Sequence, residues 1–191
     1  MKYIKDQEFI RGNCPMTKED IRILSLAKMN LDKNCRVLDI GAGTGSISIQ
    51  AAKICCKGTV IAIEKDEEAL RAIKKNKKKF NCENLKVIEG EALKVEKNID
   101  DIFDSIFIGG SGGNLEQIIK IYGQKLSKEG TMVLNFITIT NVYVALQTLK
   151  ELKYNTECIQ VSISKTKGNV NMLIANNPIF IITAFKDGED L

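Results

Sequence analysis

Short apolar runs alternate along this chain with longer segments whose apolar residues recur at helical spacing. Residues 1–14 show no regular period. Ile21, Leu24, Leu26 and Met29 then predict a helix over about 18–30. Thr17 is the expected N-cap, with Asp20 three residues on as in a capping box with a shorter acid. A buried strand is predicted at 35–40 and a helix over about 44–56, ended by Lys57-Gly58. A second strand at 59–63 is closed by Glu64. Asp66 is the expected cap of a helix over 67–80, whose stripe is Ala69, Leu70, Ile73 and Phe80. Strands at 85–88 and 103–108 follow, separated by a polar stretch. A helix over 114–126, a turn at 128–130, a strand at 131–136 and a helix over 139–152 come next. Two β-rich runs, 156–165 and 178–186, close the chain around a Gly/Asn-containing connection. This alternation predicts an α/β fold with a mostly parallel sheet and right-handed crossovers. The last two strands pair most easily as antiparallel neighbours.

Composition narrows the function classes. The 191 residues are 44% hydrophobic and 27% charged, as in an ordinary globular domain. The net charge of +4 suits an anionic substrate or nucleic acid but requires neither. There is no histidine, so the usual neutral-pH acid/base and the commonest metal ligand are missing. Six cysteines form no C-x-x-C pair and match no zinc spacing. They read as reduced, mostly buried thiols of a cytoplasmic protein, with no metal site. The N-terminus has no apolar signal-peptide core, and no apolar run approaches the ~20 residues of a membrane span. Five lysines crowd positions 74–79. They read as a solvated helix end, with a polyanion-binding patch as the alternative.

The candidate chemistry centres on Val37-Leu-Asp-Ile-Gly-Ala-Gly-Thr-Gly-Ser46. A strand that ends in a glycine turn and feeds a helix can cradle a nucleotide-like ligand. Gly41, Gly43 and Gly45 stand on alternate positions, with Ala42 and Thr44 between them. The dinucleotide fingerprint needs its third glycine at the sixth position, where Ser46 stands, and no Gly-Lys-Ser/Thr of a P-loop follows. Glu64 ends the second strand, so its carboxylate is expected beside the turn, where it can accept from both ribose hydroxyls. Gly90-Glu91-Ala92 ends the third strand. Glu91 and Ala92 are candidate ligand contacts at that strand end. Asp39, just before the glycines, is expected to orient the loop or the ligand.

The run Asp39-Ile-Gly-Ala-Gly-Thr-Gly45 resembles the first motif of class I S-adenosylmethionine-dependent methyltransferases. That resemblance implies S-adenosyl-L-methionine as cofactor and a seven-stranded sheet with its last strand antiparallel and helices on both faces. Two further pieces, Gly12-Asn-Cys-Pro-Met-Thr-Lys-Glu-Asp-Ile-Arg22 and Phe107-Ile-Gly-Gly-Ser-Gly-Gly-Asn-Leu115, extend it. With the glycine motif they resemble the decarboxylating cobalt-precorrin-6B methyltransferases of anaerobic cobalamin biosynthesis, over about 12–185. The resemblance implies methylation of the tetrapyrrole at carbon 15, loss of the carboxylate from the carbon-12 acetate, and a homotetramer. Length makes one domain over 1–191 the default, and the resemblance implies that 1–31 covers the cofactor site.

Under that reading no acid/base residue stands out, because methyl transfer from a sulfonium needs alignment and desolvation above all. Thr17 is expected to contact the cofactor. Gly109, Gly110, Ser111 and Gly112 would leave room for a large flat acceptor. Lys18, Arg22, Lys165 and Lys167 are candidates for its carboxylates. Between the last two strands lysines stand where arginines are expected, and lysine cannot fork onto a carboxylate. The alternatives are an RNA adenine methyltransferase using the lysine run, a protein carboxyl methyltransferase, and a non-catalytic cofactor-binding module.

Overall fold

The computed structural model describes residues 2–169 and 171–186. Helix α1 (Glu19–Lys28) precedes β1 (Arg36–Ile40), α2 (Ser46–Ile54), β2 (Thr59–Glu64), α3 (Glu67–Lys79) and β3 (Leu85–Glu89). The short α4 (Ala92–Val95), β4 (Phe103–Ile108), α5 (Leu115–Gly123), β5 (Leu126–Phe136) and α6 (Ile139–Glu151) follow. The chain then runs through β6 (Tyr154–Val161), β7 (Ser164–Lys167), β8 (Met172–Ala175) and β9 (Ile179–Lys186).

Seven strands form one sheet in the order β3-β2-β1-β4-β5-β9-β6. The first five are mutually parallel, and β9 lies antiparallel between β5 and β6. Successive strand residues point to opposite faces, so each strand supplies two cores. Leu38, Ile40, Ile106 and Ile108 pack with Ile118, Ile119 and Leu149 of α5 and α6. Val37, Val60, Ala62 and Phe107 pack with Leu26, Ile47, Ile49 and Ile73 of α1, α2 and α3. Strands covered on both faces read as continuous apolar runs, which is why β1, β2 and β4 were legible.

Three element starts differ from expectation. Helix α1 is capped by Lys18 without a side-chain bond, so Thr17 is not its cap. Gly45, in left-handed conformation (φ +78°), caps α2, so that helix starts at Ser46. Strand β5 begins at Leu126, not 131. Leu126 pairs with Phe103 and Thr131 with Ser105, so 127–130 bulge out. The bulge keeps Leu126 buried while Lys128 and Glu129 reach solvent.

The connection between the last strands is not a simple loop. After β6 the chain turns into a separate hairpin, β7–β8, with Ser164 opposite Ala175 and Lys167 opposite Met172. Gly168 (φ +74°) and Asn171 (φ +53°) take its left-handed turn positions. All eight strand residues are exposed. Asp66 does cap α3, accepting from the Ala69 N–H at 2.8 Å.

Candidate active site

Parallel register brings the C-terminal ends of β1, β2, β3 and β4 to one edge. Ile40 stands level with Ile63 and Ile108, and Glu64 with Glu89. The turns that leave these strands are stitched together. Gly41 and Ala42 N–H donate to the Ile63 carbonyl at 3.0 and 3.1 Å, Gly109 N–H to the Ile40 carbonyl at 3.0 Å, and Gly90 N–H to the Glu64 carbonyl at 2.8 Å. A Cβ on Gly41 (φ +71°) would lie 2.7 Å from the Gly110 backbone, so the first glycine is required by the neighbouring loop.

A cavity of about 540 Å³ opens along this edge. Its walls come from 14–18, 39–44, 63–66, 90–93 and 109–112, with Asn135 to Ile137 on one side. Of the expected site residues, Thr17, Lys18, Asp39, Gly41, Ala42, Gly43 and Thr44 line it. So do Glu64, Glu91, Ala92, Gly109, Gly110, Ser111 and Gly112. Gly45 stands behind the wall, where a Cβ would strike Ile73 at 2.4 Å.

Arg22 is a correction. Its side chain has no exposed surface. The guanidinium pairs with Asp6 at 3.1 Å, donates to the Thr17 carbonyl at 3.0 Å and to the Ile4 carbonyl, and lies 4.8 Å from the Phe9 ring centre. It holds the N-terminal segment and has no surface left for a substrate. Lys165, on β7, pairs with Asp20, and neither it nor Lys167 is a cavity wall.

The acids of the site are engaged by the protein. Glu64, nearly buried, accepts N–H bonds from Gly43 at 2.7 Å, Lys65 at 2.7 Å and Asp66 at 2.9 Å. Three donors on about four lone-pair positions leave Glu64 Oε2 able to accept once more. Glu91 holds the Asn114 amide at 3.3 Å and Lys94 at 3.2 Å. The Tyr122 hydroxyl donates to the Ala92 carbonyl at 2.7 Å and fixes that turn. Asp39 is fully buried and accepts from the Ser48 hydroxyl. Burial pushes its carboxyl up to about 7, and the Ser48 bond only partly opposes this.

Three residues that sequence reasoning passed over also shape the site. Asn76, fully buried on α3, accepts the Ile10 N–H at 2.9 Å. It donates to the carbonyls of Ile10 at 2.8 Å and Thr44 at 2.9 Å. It therefore ties the N-terminal segment to the glycine turn. Its signal was available: it is the one uncharged position in the lysine run, three residues after the buried Ile73. Asn135, at the end of β5, donates to Ser25 Oγ at 2.8 Å and anchors α1 beside the cavity. Lys65 reaches from the end of β2 to the β4 loop. Both lie outside any local motif.

The cysteines divide. Cys14, Cys55 and Cys82 are buried, Cys35 is half-buried, and Cys56 and Cys158 are exposed. The lysine run lies on the outer side of α3, where Lys74 pairs with Glu89 at 3.2 Å and Lys79 donates to the Glu8 carbonyl. Among the described residues no helix is long and apolar enough to cross a membrane.

Residues 8–186 match the family model of the precorrin methyltransferase domain. The chain belongs to that family. It is 45% identical over 185 residues to a protein of Sulfolobus acidocaldarius named probable cobalt-precorrin-6B C(15)-methyltransferase (decarboxylating). That match covers 94% of this chain and 95% of the relative. The cobalt-precorrin-6B C(15)-methyltransferase (decarboxylating) of Salmonella typhimurium is 37% identical over 188 residues, covering 96% of each chain. The crystal structure of precorrin-6y C5,15-methyltransferase from Geobacter metallireducens superposes with a TM-score of 0.93 at 36% identity. It covers 97% of this chain and 96% of that one. The expected class I methyltransferase architecture is thus the one observed.

Proposed function

We propose that this enzyme transfers a methyl group from S-adenosyl-L-methionine to carbon 15 of cobalt-precorrin-6B and removes the carbon-12 acetate carboxylate, in anaerobic cobalamin biosynthesis. The acceptor follows from the family and from the names of relatives matched over nearly their full length. The observation that carries the cofactor reading is Glu64, held by three backbone N–H groups beside the glycine turn with acceptor capacity to spare.

The residues present fit the cofactor. Glu64 would accept from the ribose hydroxyls, Glu91 from the adenine amino group, and Ala92 would meet the ring. The turn from Gly41 to Gly45 would let the ligand approach the backbone, with Asp39, Ala42 and Thr44 around it and Thr17 over it. S-adenosylmethionine supplies an electrophilic methyl on a sulfonium. The protein contributes alignment and exclusion of water, and the open loop at Gly109, Gly110, Ser111 and Gly112 leaves space for a flat acceptor. Lys18 is the expected carboxylate contact that remains on the cavity wall.

The wider reading is a one-domain cytoplasmic protein that assembles as a homotetramer. Exposed Met172, Leu173 and Ile174 on the β7–β8 hairpin support contacts between copies, and light scattering of the purified protein tests the assembly.

Mass spectrometry of cobalt-precorrin-6B after incubation with enzyme and cofactor tests the reaction. Gain of one methyl and loss of one carbon dioxide is the expected result. Methyl transfer to tRNA instead would replace this reading with the RNA methyltransferase one, and cofactor binding without turnover on either would leave a binding module.

A further inference from the structure

The cavity's ionisable groups are unevenly satisfied. Each acid on its wall already has protein partners: Glu64 three N–H groups, Asp66 the Ala69 N–H, Glu91 the Lys94 ammonium and Asn114 amide, Asp39 the Ser48 hydroxyl. Two lysines, Lys18 and Lys65, also line it. Among the described residues, neither ammonium has a hydrogen-bond or ion-pair partner. The charge left free to meet a ligand is positive.

Lys65 is the better placed of the two. It directly follows Glu64 on β2, yet its side chain extends to the loop after β4, two strands away in the sheet. A Cβ on Gly112 would lie 2.9 Å from Lys65 Nζ and 3.6 Å from Cε. Gly112 also has φ +56°, so a side chain there is disfavoured by the backbone, while the flexible Lys65 stem could swing aside from it. The lysine thus spans the strand, β1, that carries the glycine turn. Holding a four-carbon stem across a cavity costs rotamer freedom, which an ion pair at its end offsets.

We propose that the Lys65 ammonium receives a carboxylate of the bound acceptor and holds that side chain over the glycine turn, beside the Gly109–Gly112 loop. The inference rests on the proposed function, because a tetrapyrrole bearing several acidic side chains supplies the anion. A point charge with three rotatable donors suits it, since it accepts a carboxylate from several directions where an arginine fork would impose one plane. The cofactor's own amino-acid carboxylate is the other source of the same chemistry, and the measurement separates the two.

The test uses Lys65→Met and Lys65→Arg. Lys65 is exposed, so both variants are expected to fold, and thermal melting checks this. Binding of cobyrinic acid, a polycarboxylate corrinoid, is followed by its visible absorption in the presence of S-adenosylhomocysteine. Binding of S-adenosylmethionine is followed by calorimetry. Lys65→Met should weaken corrinoid binding about tenfold and flatten its salt dependence, with cofactor affinity within about twofold of wild type. Lys65→Arg should restore most of the loss. Unchanged corrinoid affinity in Lys65→Met would overturn the proposal, as would a loss confined to the cofactor. A wild-type protein that binds the corrinoid but does not methylate cobalt-precorrin-6B would sink the proposed reaction while the Lys65 comparison still stands.

Discussion

Glu64 Oε2 accepts the Gly43 N–H at 2.7 Å, so the acid that ends β2 is bonded to the turn that ends β1. One carboxylate therefore shapes the glycine turn and faces the site. Glu64→Ala removes the acceptor for three N–H groups and, on the proposed reading, for the ribose. We expect cofactor affinity to fall by at least ~1 kcal/mol, read by calorimetry. Wild-type affinity in this variant would remove the ribose assignment. Glu64→Gln, which keeps the shape but turns one acceptor into a donor, should fall between the two.

Asn76 closes the connection from the other side. Replacing it with alanine leaves the Ile10 N–H and the carbonyls of Ile10 and Thr44 without their partner. The expected loss is about 2–3 kcal/mol of stability, the scale of buried polar groups left unsatisfied, measured by urea denaturation. Below the unfolding transition, residues 4–18 should exchange amide hydrogens faster. An unchanged midpoint would show that water replaces the amide without cost.

Arg22 serves the same segment through charge. Burial lowers the guanidinium's pKa, and Asp6 opposes the shift. Arg22→Met should destabilise the fold by about 2 kcal/mol and expose 4–18 to limited proteolysis. Arg22→Lys should recover little, since an ammonium cannot reach Asp6, Ile4 and Thr17 with one planar fork. A variant that resists proteolysis as wild type does but loses acceptor affinity would return Arg22 to the substrate.

Asp39 ties stability to pH. Its carboxyl titrates at 3.8 when unperturbed and at about 7 when folded, because burial penalises the charge. The folded state therefore holds the proton more tightly. The contribution is complete below about pH 4 and is lost as pH rises through about 7. Asp39→Asn cannot ionise and escapes that loss. Its urea midpoint should match wild type near pH 4 and exceed it near pH 8. Parallel pH profiles would show that Asp39 ionises without penalty in the fold.

The apolar runs at β1, β2 and β4, the glycine turn, Glu64 and the Asp66 cap were all legible, because each depends on its own backbone conformation or on burial of a whole segment. The lysine run also read correctly as an outer helix face, and α3 buries only Ala69, Leu70, Ala72, Ile73 and Asn76. The β7–β8 hairpin was missed because 156–165 read as one run, whereas the strand ends before Ser162-Ile163 and only the pairing of Ser164–Lys167 with Met172–Ala175 defines the hairpin. The bulge at 127–130 was missed for a related reason: Lys128-Glu-Gly130 has turn composition but is carried out of a strand that has already begun.

Sequence alone determined the sheet's parallel half, the glycine turn at its edge and the family resemblance, since these rest on periodicity and on motifs within a few residues. Tertiary structure decided which charges serve that edge. Arg22 and Lys18 stand four residues apart, yet one is sealed under the N-terminal segment and the other stands on the cavity wall. Lys65 meets Gly112 across β1, 47 positions on in the chain. A side chain's charge is written in the sequence, but its partner is set by whichever backbone the fold brings within hydrogen-bonding reach.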